Sequence, residues 1–271
     1  MVRYYVKRIR KVVWMNFGYS HIKNTSQKKL SPTKINVAFT LAEVLITLGI
    51  IGVIAAITIP SLINNYKAHR LSTQFLKSYS TIQQTFRQME ADDVSLDPAT
   101  YQNTGLLFYK EFAKHIKYTL DCGAYGRGEG MNKAKACFNY DYDEKGTLLY
   151  GTTYKSFDGK IGFQDTYLDD GQLVLMDGTN IMFENVGSGT IFVSVDINGF
   201  QSPPNKAGYD LFTFQFNDGV LKTMGDRGTK FTDMNKYCNL KVSNKFNGIA
   251  CAQKAKENPR EYFKYVVKNV K

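Results

Sequence analysis

The chain has 271 residues, with 35 Lys and Arg against 24 Asp and Glu, and its formal net charge is +11 at pH 7. Nine of those cations lie within residues 1–38, which contain no acidic residue, so the other 26 leave residues 39–271 with a charge of only +2. The basic composition therefore does not indicate nucleic-acid binding, because it is confined to one short segment. A basic flank of this kind is typical of the cytoplasmic side of a membrane segment.

The basic segment is followed by an almost continuous apolar run. Residues 39–59 contain a single ionisable side chain, Glu43. At 1.5 Å rise per residue, a helix of these residues would be about 31 Å long, the thickness of the hydrocarbon core of a bilayer. We therefore predict a membrane-spanning helix, and we expect Glu43 to have a partner because a carboxylate within a span is costly to insert.

The junction of the two segments has the sequence Ala38-Phe39-Thr40-Leu41-Ala42-Glu43-Val44-Leu45-Ile46. This sequence resembles the processing site of the type IV prepilin and type II secretion pseudopilin family. The resemblance implies that a prepilin peptidase cuts between Ala38 and Phe39 and methylates the new amino group of Phe39. The chain departs from the family pattern in having Ala38 where Gly is the commoner residue.

By the same resemblance, Glu43 neutralises the Phe39 amine of its own or a neighbouring subunit. Pairing across subunits would also set the axial register of helices in a filament, because an unpaired charge in an apolar bundle is penalised. The partners implied are the prepilin peptidase/methyltransferase, other pilin or pseudopilin subunits, an inner-membrane assembly platform and the lipid bilayer. The alternative is an ordinary signal anchor with Glu43 at the membrane interface.

Apolar residues continue at helical spacing beyond the span, which predicts a helix reaching about Ala91. Pro60 lies inside this helix, and we expect a kink there because proline lacks a backbone donor and crowds the preceding turn. The predicted organisation is a leader that is removed (1–38), an assembly helix (39–63), its amphipathic continuation (64–98) and an extracytoplasmic head (99–271). Met15 is an alternative start of the leader.

The head shows mixed patterns. A shorter helix is predicted within residues 100–118, and short apolar alternations follow. Residues 173–176 and 181–183 predict a hairpin closed by Asp177-Gly178. Further strands are predicted at 191–196, 211–216 and 220–223. Together these elements predict an α+β fold in which the long helix packs on a small antiparallel sheet, as in pilins.

All four cysteines, Cys122, Cys137, Cys238 and Cys251, lie beyond the apolar segment. An even number of cysteines on the far side of a membrane span indicates an oxidising compartment and two disulfides. Of three connectivities we favour the sequential one, Cys122 with Cys137 and Cys238 with Cys251, which closes two short loops. A zinc site is the competing use, but neither spacing is Cys-x-x-Cys and no His is near.

The loop at residues 196–210 is the second distinctive motif. It resembles an Asp-x-Asn-Gly…Pro-Asn…Gly-x-Asp loop of many pilin-like proteins. Asp196, Asn198 and Asp210 offer oxygen ligands of the kind that Ca²⁺ prefers, which makes a structural Ca²⁺ site one hypothesis. The other interpretation is that these side chains accept hydrogen bonds from their own backbone in turns.

Catalytic patterns are not recognisable in this sequence. Neither His69 nor His115 belongs to a known nucleophile or metal arrangement, and we interpret the acidic pairs Asp92-Asp93 and Asp169-Asp170 as solvated turns. We therefore expect no enzymatic activity and no cofactor other than structural Ca²⁺, and we do not expect nucleic acid as a partner.

The resemblance implies a structural subunit of a type II secretion pseudopilus or a type IV pilus-like filament. The subunit would lie in a bacterial inner membrane as a single-pass protein, with its head in the periplasm or outside. The 196–210 loop favours the pseudopilus, while adhesive, motile and DNA-uptake pili remain alternatives. A hypothesis of another class is a membrane-anchored extracytoplasmic binding or adhesion protein that does not polymerise, for which Glu43 would be dispensable.

Overall fold

The computed structural model describes residues 39–101, 107–125, 132–185, 189–217 and 219–270. The predicted leader, including Ala38, lies outside the described residues. Contacts divide the chain into two units, Met1–Ile50 and Ile51–Lys271, each with its own internal contacts. The predicted boundaries at 38, 63 and 98 remain predictions.

The longest element is α1 (Leu41–Ala91), a helix of 51 residues that ends where the apolar spacing predicted. Its first half is exposed and apolar, and buried residues begin only at Ala68. Among the described residues, α1 is the one helix long and apolar enough to cross a bilayer. The helix continues without interruption through Pro60, so the predicted kink at this residue remains a prediction.

Six antiparallel strands form one sheet in the order β1-β4-β5-β6-β7-β8. These strands are β1 (Tyr118–Gly123), β4 (Gln172–Leu175), β5 (Asn180–Glu184), β6 (Ile191–Asp196), β7 (Leu211–Asn217) and β8 (Val220–Thr223), and a separate pair is formed by β2 (Asp141–Tyr142) and β3 (Leu148–Leu149). The predicted hairpin is confirmed as β4 and β5, and the α+β architecture is confirmed with it. The helix predicted within residues 100–118 is found as α2 (Phe108–Lys114), which covers only part of that range, and β1 begins at Tyr118.

The second half of α1 packs against one face of the sheet through aromatic side chains. Alternate residues of β7 point toward the helix, which is the two-residue period of a strand. The ring centroids of Phe75 and Phe212 are 4.8 Å apart, and those of Phe86 and Phe216 are 4.6 Å apart with nearly parallel planes. All of these rings are buried, so the helix and the sheet share one core.

Helices from the carboxyl end of the chain complete this layer. They are α3 (Met234–Tyr237), α4 (Cys251–Glu257) and α5 (Pro259–Asn269). Phe263 of α5 lies 5.8 Å from Phe75 between ring centroids. No pattern in the sequence analysis predicted these helices. Asn258 caps α5 by accepting from the backbone N–H of Glu261, and Pro259 occupies the first helical position, where proline is favoured.

The opposite face of the sheet is covered by the irregular segment between β1 and β4. Phe138, Tyr154 and Phe163 from this segment form a second buried cluster with Met182 and Phe192 of the sheet. Met182 and Phe192 are flanked on their own strands by residues of the first core, so the two clusters lie on opposite faces of the sheet.

Two disulfides join the predicted partners. Cys122 of β1 is bonded to Cys137, and Cys238 at the end of α3 is bonded to Cys251 at the start of α4. All four cysteines are buried, and no described cysteine is free. The sequential connectivity is therefore confirmed.

The two halves of α1 should differ in what their side chains contribute to stability. Phe86→Ala removes a ring that is 2% exposed, and we expect it to lower the free energy of unfolding by about 3–5 kcal/mol. Ile57→Ala on the same helix removes a side chain that is 72% exposed, and it should change that free energy by less than about 0.5 kcal/mol.

Denaturant unfolding of the detergent-solubilised full chain measures both variants. Equal losses in Phe86→Ala and Ile57→Ala would contradict the division of α1 into a packed half and an exposed half.

Candidate functional site

The amino-terminal end of α1 is closed by a reciprocal pair of side chains. The Glu43 carboxylate accepts from the backbone N–H and from the hydroxyl of Thr40, both at 2.8 Å. The Thr40 hydroxyl in turn accepts from the backbone N–H of Glu43 at 3.2 Å. This is a capping box, in which a Thr before the helix and a Glu three residues later satisfy each other's free donors. Glu43 therefore has a local partner, which the sequence analysis missed although Thr-x-x-Glu is its signal.

Phe39 precedes this cap and has 81% of its surface exposed. The bond that the resemblance marks for cleavage joins it to Ala38, which is not among the described residues. The described side of the bond is thus open to solvent and free of tertiary packing.

An uncovered apolar surface follows the cap. Its large side chains are 41–77% exposed, and they form one contiguous stretch of α1: Leu41, Val44, Leu45, Ile46, Leu48, Ile50, Ile51, Val53, Ile54, Ile57, Ile59, Leu62 and Ile63. Soluble monomers rarely expose contiguous apolar patches larger than a few hundred Å². This surface is long and apolar enough to cross a membrane, by length and composition.

The loop at residues 196–210 brings together Asp196 and Asp210, two of the three predicted Ca²⁺ ligands. Both residues are fully buried, and both carboxylates accept hydrogen bonds from within the fold. Asp196 accepts from the Tyr154 hydroxyl at 2.9 Å and from the backbone N–H of Gly199 at 2.9 Å. Asp210 accepts from the backbone N–H of Lys206 at 2.6 Å and of Asn205 at 2.9 Å. The two acids thus brace the two ends of the loop.

Burial of these acids raises their pKa. The pKa of Asp196 lies well above its usual value because the residue is buried and because Asp210 is close. Burial raises the pKa of Asp210 to about 7, although the backbone N–H groups that it accepts from act in the opposite direction. Two close buried carboxyls of this kind favour sharing a proton or a cation.

A Ca²⁺ ion in a protein takes six to eight oxygen ligands. Every carboxylate oxygen of Asp196 and Asp210 already accepts from an N–H or O–H group. Of the predicted ligands, only Asn198 has an oxygen that is buried and lacks a partner within the described chain. These contacts favour the interpretation in which the acidic side chains accept hydrogen bonds from the backbone of their own loop. Ca²⁺ binding remains a prediction.

A second acidic group lies at the far end of β5, and it shows that the interpretation of Asp169-Asp170 as a solvated turn is wrong. Asp169 and Asp170 are not a solvated turn, because Asp170 is 7% exposed and both cluster with Glu184, which is 8% exposed. One carboxylate oxygen from each of the three residues lies within 4.8 Å of those of the other two. Asp169 accepts from the Tyr140 hydroxyl at 2.8 Å, and Asp170 accepts from the backbone N–H of Asn185 at 2.9 Å. The strand pairing that brings Glu184 beside the acidic pair is not visible in local sequence.

Burial and mutual repulsion act together in this cluster. Burial, followed by the charges of Asp170 and Asp169, raises the pKa of Glu184 to about 9. Burial also raises the pKa of Asp169 to about 7, against the hydrogen bond from Tyr140. At neutral pH Glu184 is therefore protonated. The group could hold a metal ion, but a cluster of acids alone does not indicate one.

Comparison with known proteins found no matching family model, no similar curated protein and no similar solved structure.

The raised pKa of Glu184 predicts a loss of stability with rising pH. The folded chain holds a proton on Glu184 up to about pH 9, whereas the unfolded chain releases it near pH 4.5. The stabilisation that this bound proton gives to the fold is fully present below pH 4.5. It decreases as the pH rises from 4.5, and it is lost once the pH has passed through 9. Glu184→Gln keeps a neutral side chain, so its melting temperature should match that of the wild type at pH 5 and exceed it by about 2 °C or more at pH 9.

Thermal unfolding from pH 5 to 9 in the presence of a chelator measures this difference. Glu144→Gln, at an exposed site in the β2–β3 turn, is the matched control and should follow the wild type at every pH. A Glu184→Gln curve parallel to that of the wild type would contradict a buried neutral Glu184.

The bracing interpretation of the 196–210 loop predicts little response to calcium. We expect 1 mM Ca²⁺ to change the melting temperature of the full chain by less than about 1 °C, because an ion would displace the hydrogen bonds already accepted by Asp196 and Asp210. A rise of several degrees that disappears in Asp196→Asn would instead establish the Ca²⁺ site. Isothermal titration of the same two proteins gives an independent measurement.

Proposed function

We propose that the chain is a structural subunit of a pseudopilus or pilus-like filament, inserted in the membrane and assembled through the exposed half of α1. The observation that carries this proposal is the division of one continuous helix into an uncovered apolar half and a half buried in the core. A helix that only anchored the head would not need to continue into its core. A filament subunit needs this continuity because contacts between helices must hold the heads in place.

Small residues in the exposed half support packing between helices. Gly52 and Ala56 are one turn apart, and a Cβ atom added at Gly52 would meet no atom within 4 Å. Helices in apolar surroundings approach closely where small residues recur at this spacing. The face that contains Gly52 and Ala56 is therefore suited to a neighbouring helix.

The resemblance of residues 38–46 to a prepilin processing site adds the maturation step. In this proposal a prepilin peptidase releases the leader at Ala38, methylates Phe39 and leaves the subunit in a bacterial inner membrane with its head outside the cytoplasm. An assembly platform and related subunits then draw it into the filament. The 196–210 loop, which resembles that of pilin-like proteins, favours a type II secretion pseudopilus over an adhesive, motile or DNA-uptake pilus.

A membrane-anchored ectodomain that never polymerises is the second candidate. The observation in its favour is the capping box, because Thr40 already gives Glu43 a partner within its own chain. In that case Glu43 only caps the amino-terminal end of α1 and has no role between subunits. The two candidates therefore differ in whether Glu43 must carry a charge.

Substitutions of Glu43 separate these roles. Glu43→Gln retains the hydrogen bonds of a capping box but removes the charge. We expect Glu43→Gln and Glu43→Ala both to abolish incorporation into filaments while membrane insertion stays at the wild-type level. Thr40→Ala, which removes only the capping hydroxyl, should still assemble.

Sheared filament fractions and carbonate-washed membranes from a host with an active prepilin peptidase measure assembly and insertion separately. Wild-type assembly of Glu43→Gln would contradict the filament role of the charge and favour the anchored ectodomain.

A further inference from the structure

Two cations that form no ion pair with another described residue lie on α1 just beyond its apolar half. After Ile63 the helix continues with Asn64, Asn65 and Tyr66, and Lys67 is the first charged residue after Glu43. Arg70 follows one turn later. Lys67 and Arg70 are exposed, and neither forms an ion pair with another described residue. Tyr66 is 69% exposed, which is typical of an aromatic residue at a membrane interface.

Two cavities flank this part of the helix, and both contain cations. A cavity of about 350 Å³ is lined by Lys67 and Arg70 together with polar groups that include Asn198, Ser202 and Tyr209. A second cavity of about 790 Å³ lies along α1 and α5 and is lined by residues that include His69, Arg260 and Lys264. Neither lining contains an Asp or a Glu, although Lys264 pairs with Glu261 at 3.0 Å.

Measured from Ile63, the position of Lys67 along the helix matches the depth of lipid headgroups, and Arg70 lies about one turn above it. At 1.5 Å rise per residue, Lys67 lies about 6 Å and Arg70 about 10 Å beyond Ile63. The headgroup layer on each side of a bilayer is about 5–7 Å thick. Long basic side chains can bend back toward that layer while their stems cover apolar surface.

We propose that Lys67 and Arg70, with Arg260 on the neighbouring cavity, form a headgroup collar that binds the phosphates of anionic lipids in the bilayer that α1 crosses. The lipid binding rests on the proposed function only in requiring that α1 spans the membrane, whereas its timing before assembly and its place in the mature subunit rest on the whole of that proposal. The collar holds the base of the head against the lipid surface before assembly. Removal of the leader takes away nine cations, so these residues become the first positive side chains of the mature subunit.

Lipid selectivity of the reconstituted full chain tests the collar. Spin-labelled phosphatidylglycerol and spin-labelled phosphatidylcholine are compared in vesicles of 3:1 phosphatidylcholine to phosphatidylglycerol, and the ratio of their association constants is measured. Each cation near an anionic surface contributes a factor of about five. We expect the wild type to favour phosphatidylglycerol and Lys67→Gln/Arg70→Gln to lower the ratio of association constants about fivefold or more.

The control variant Lys145→Gln/Lys160→Gln removes two exposed cations that line neither cavity and should retain the wild-type ratio. Equal loss in both double variants would overturn the collar, because the preference would then come from net charge alone. Loss of the preference on adding inorganic phosphate, but not chloride of the same ionic strength, would also overturn it in favour of a free-anion site.

Carbonate extraction of the same vesicles separates this inference from the proposed function. Wild type that resists extraction but shows no lipid preference would overturn the collar and leave the membrane span intact. Wild type that is extracted would contradict the span itself, and the collar with it.

Discussion

The packing of α1 against β7 is the interaction on which the rest of the structure depends. Phe75 and Phe86 of the helix enclose alternate phenylalanines of the strand, and Phe263 of α5 closes the same core. The helix that carries these rings is continuous from Leu41 to Ala91. Burying several aromatic side chains contributes far more than any surface ion pair, such as Lys77 with Asp177.

The local sequence pattern was sufficient to predict those elements whose signal lies within a few residues. Strands β6 and β8 and the turn at Asp177-Gly178 follow alternation and turn chemistry, and α1 follows helical spacing to its last residue. Elements defined by distant partners were missed. β1 is held at the sheet edge by pairing with β4, fifty residues later in sequence, and α4 and α5 are held by the core beneath them.

The acidic residues show the same limit at the level of sites. Asp196 and Asp210 were singled out by the resemblance of their loop to one in pilin-like proteins, and they do meet. Their hydrogen bonds come from Tyr154 and from backbone N–H groups that the motif does not specify. Asp169 and Asp170 were misinterpreted because adjacent acids usually mark solvent. Here the antiparallel pairing of β4 with β5 brings the two acids beside Glu184, and burial raises the pKa of Glu184 to about 9. The protonation state of a buried acidic side chain depends on residues that are close only in the folded structure, and no local sequence motif contains them.

The central claim is that the mature subunit begins at Phe39 and presents an uncovered helix for assembly. Intact-mass and amino-terminal peptide analysis of the membrane-extracted native protein tests this most directly. The account predicts a chain that starts at N-methylated Phe39 and gains four hydrogens on reduction of its two disulfides. A chain that keeps its leader in cells with an active prepilin peptidase would contradict the filament proposal and favour an anchored ectodomain.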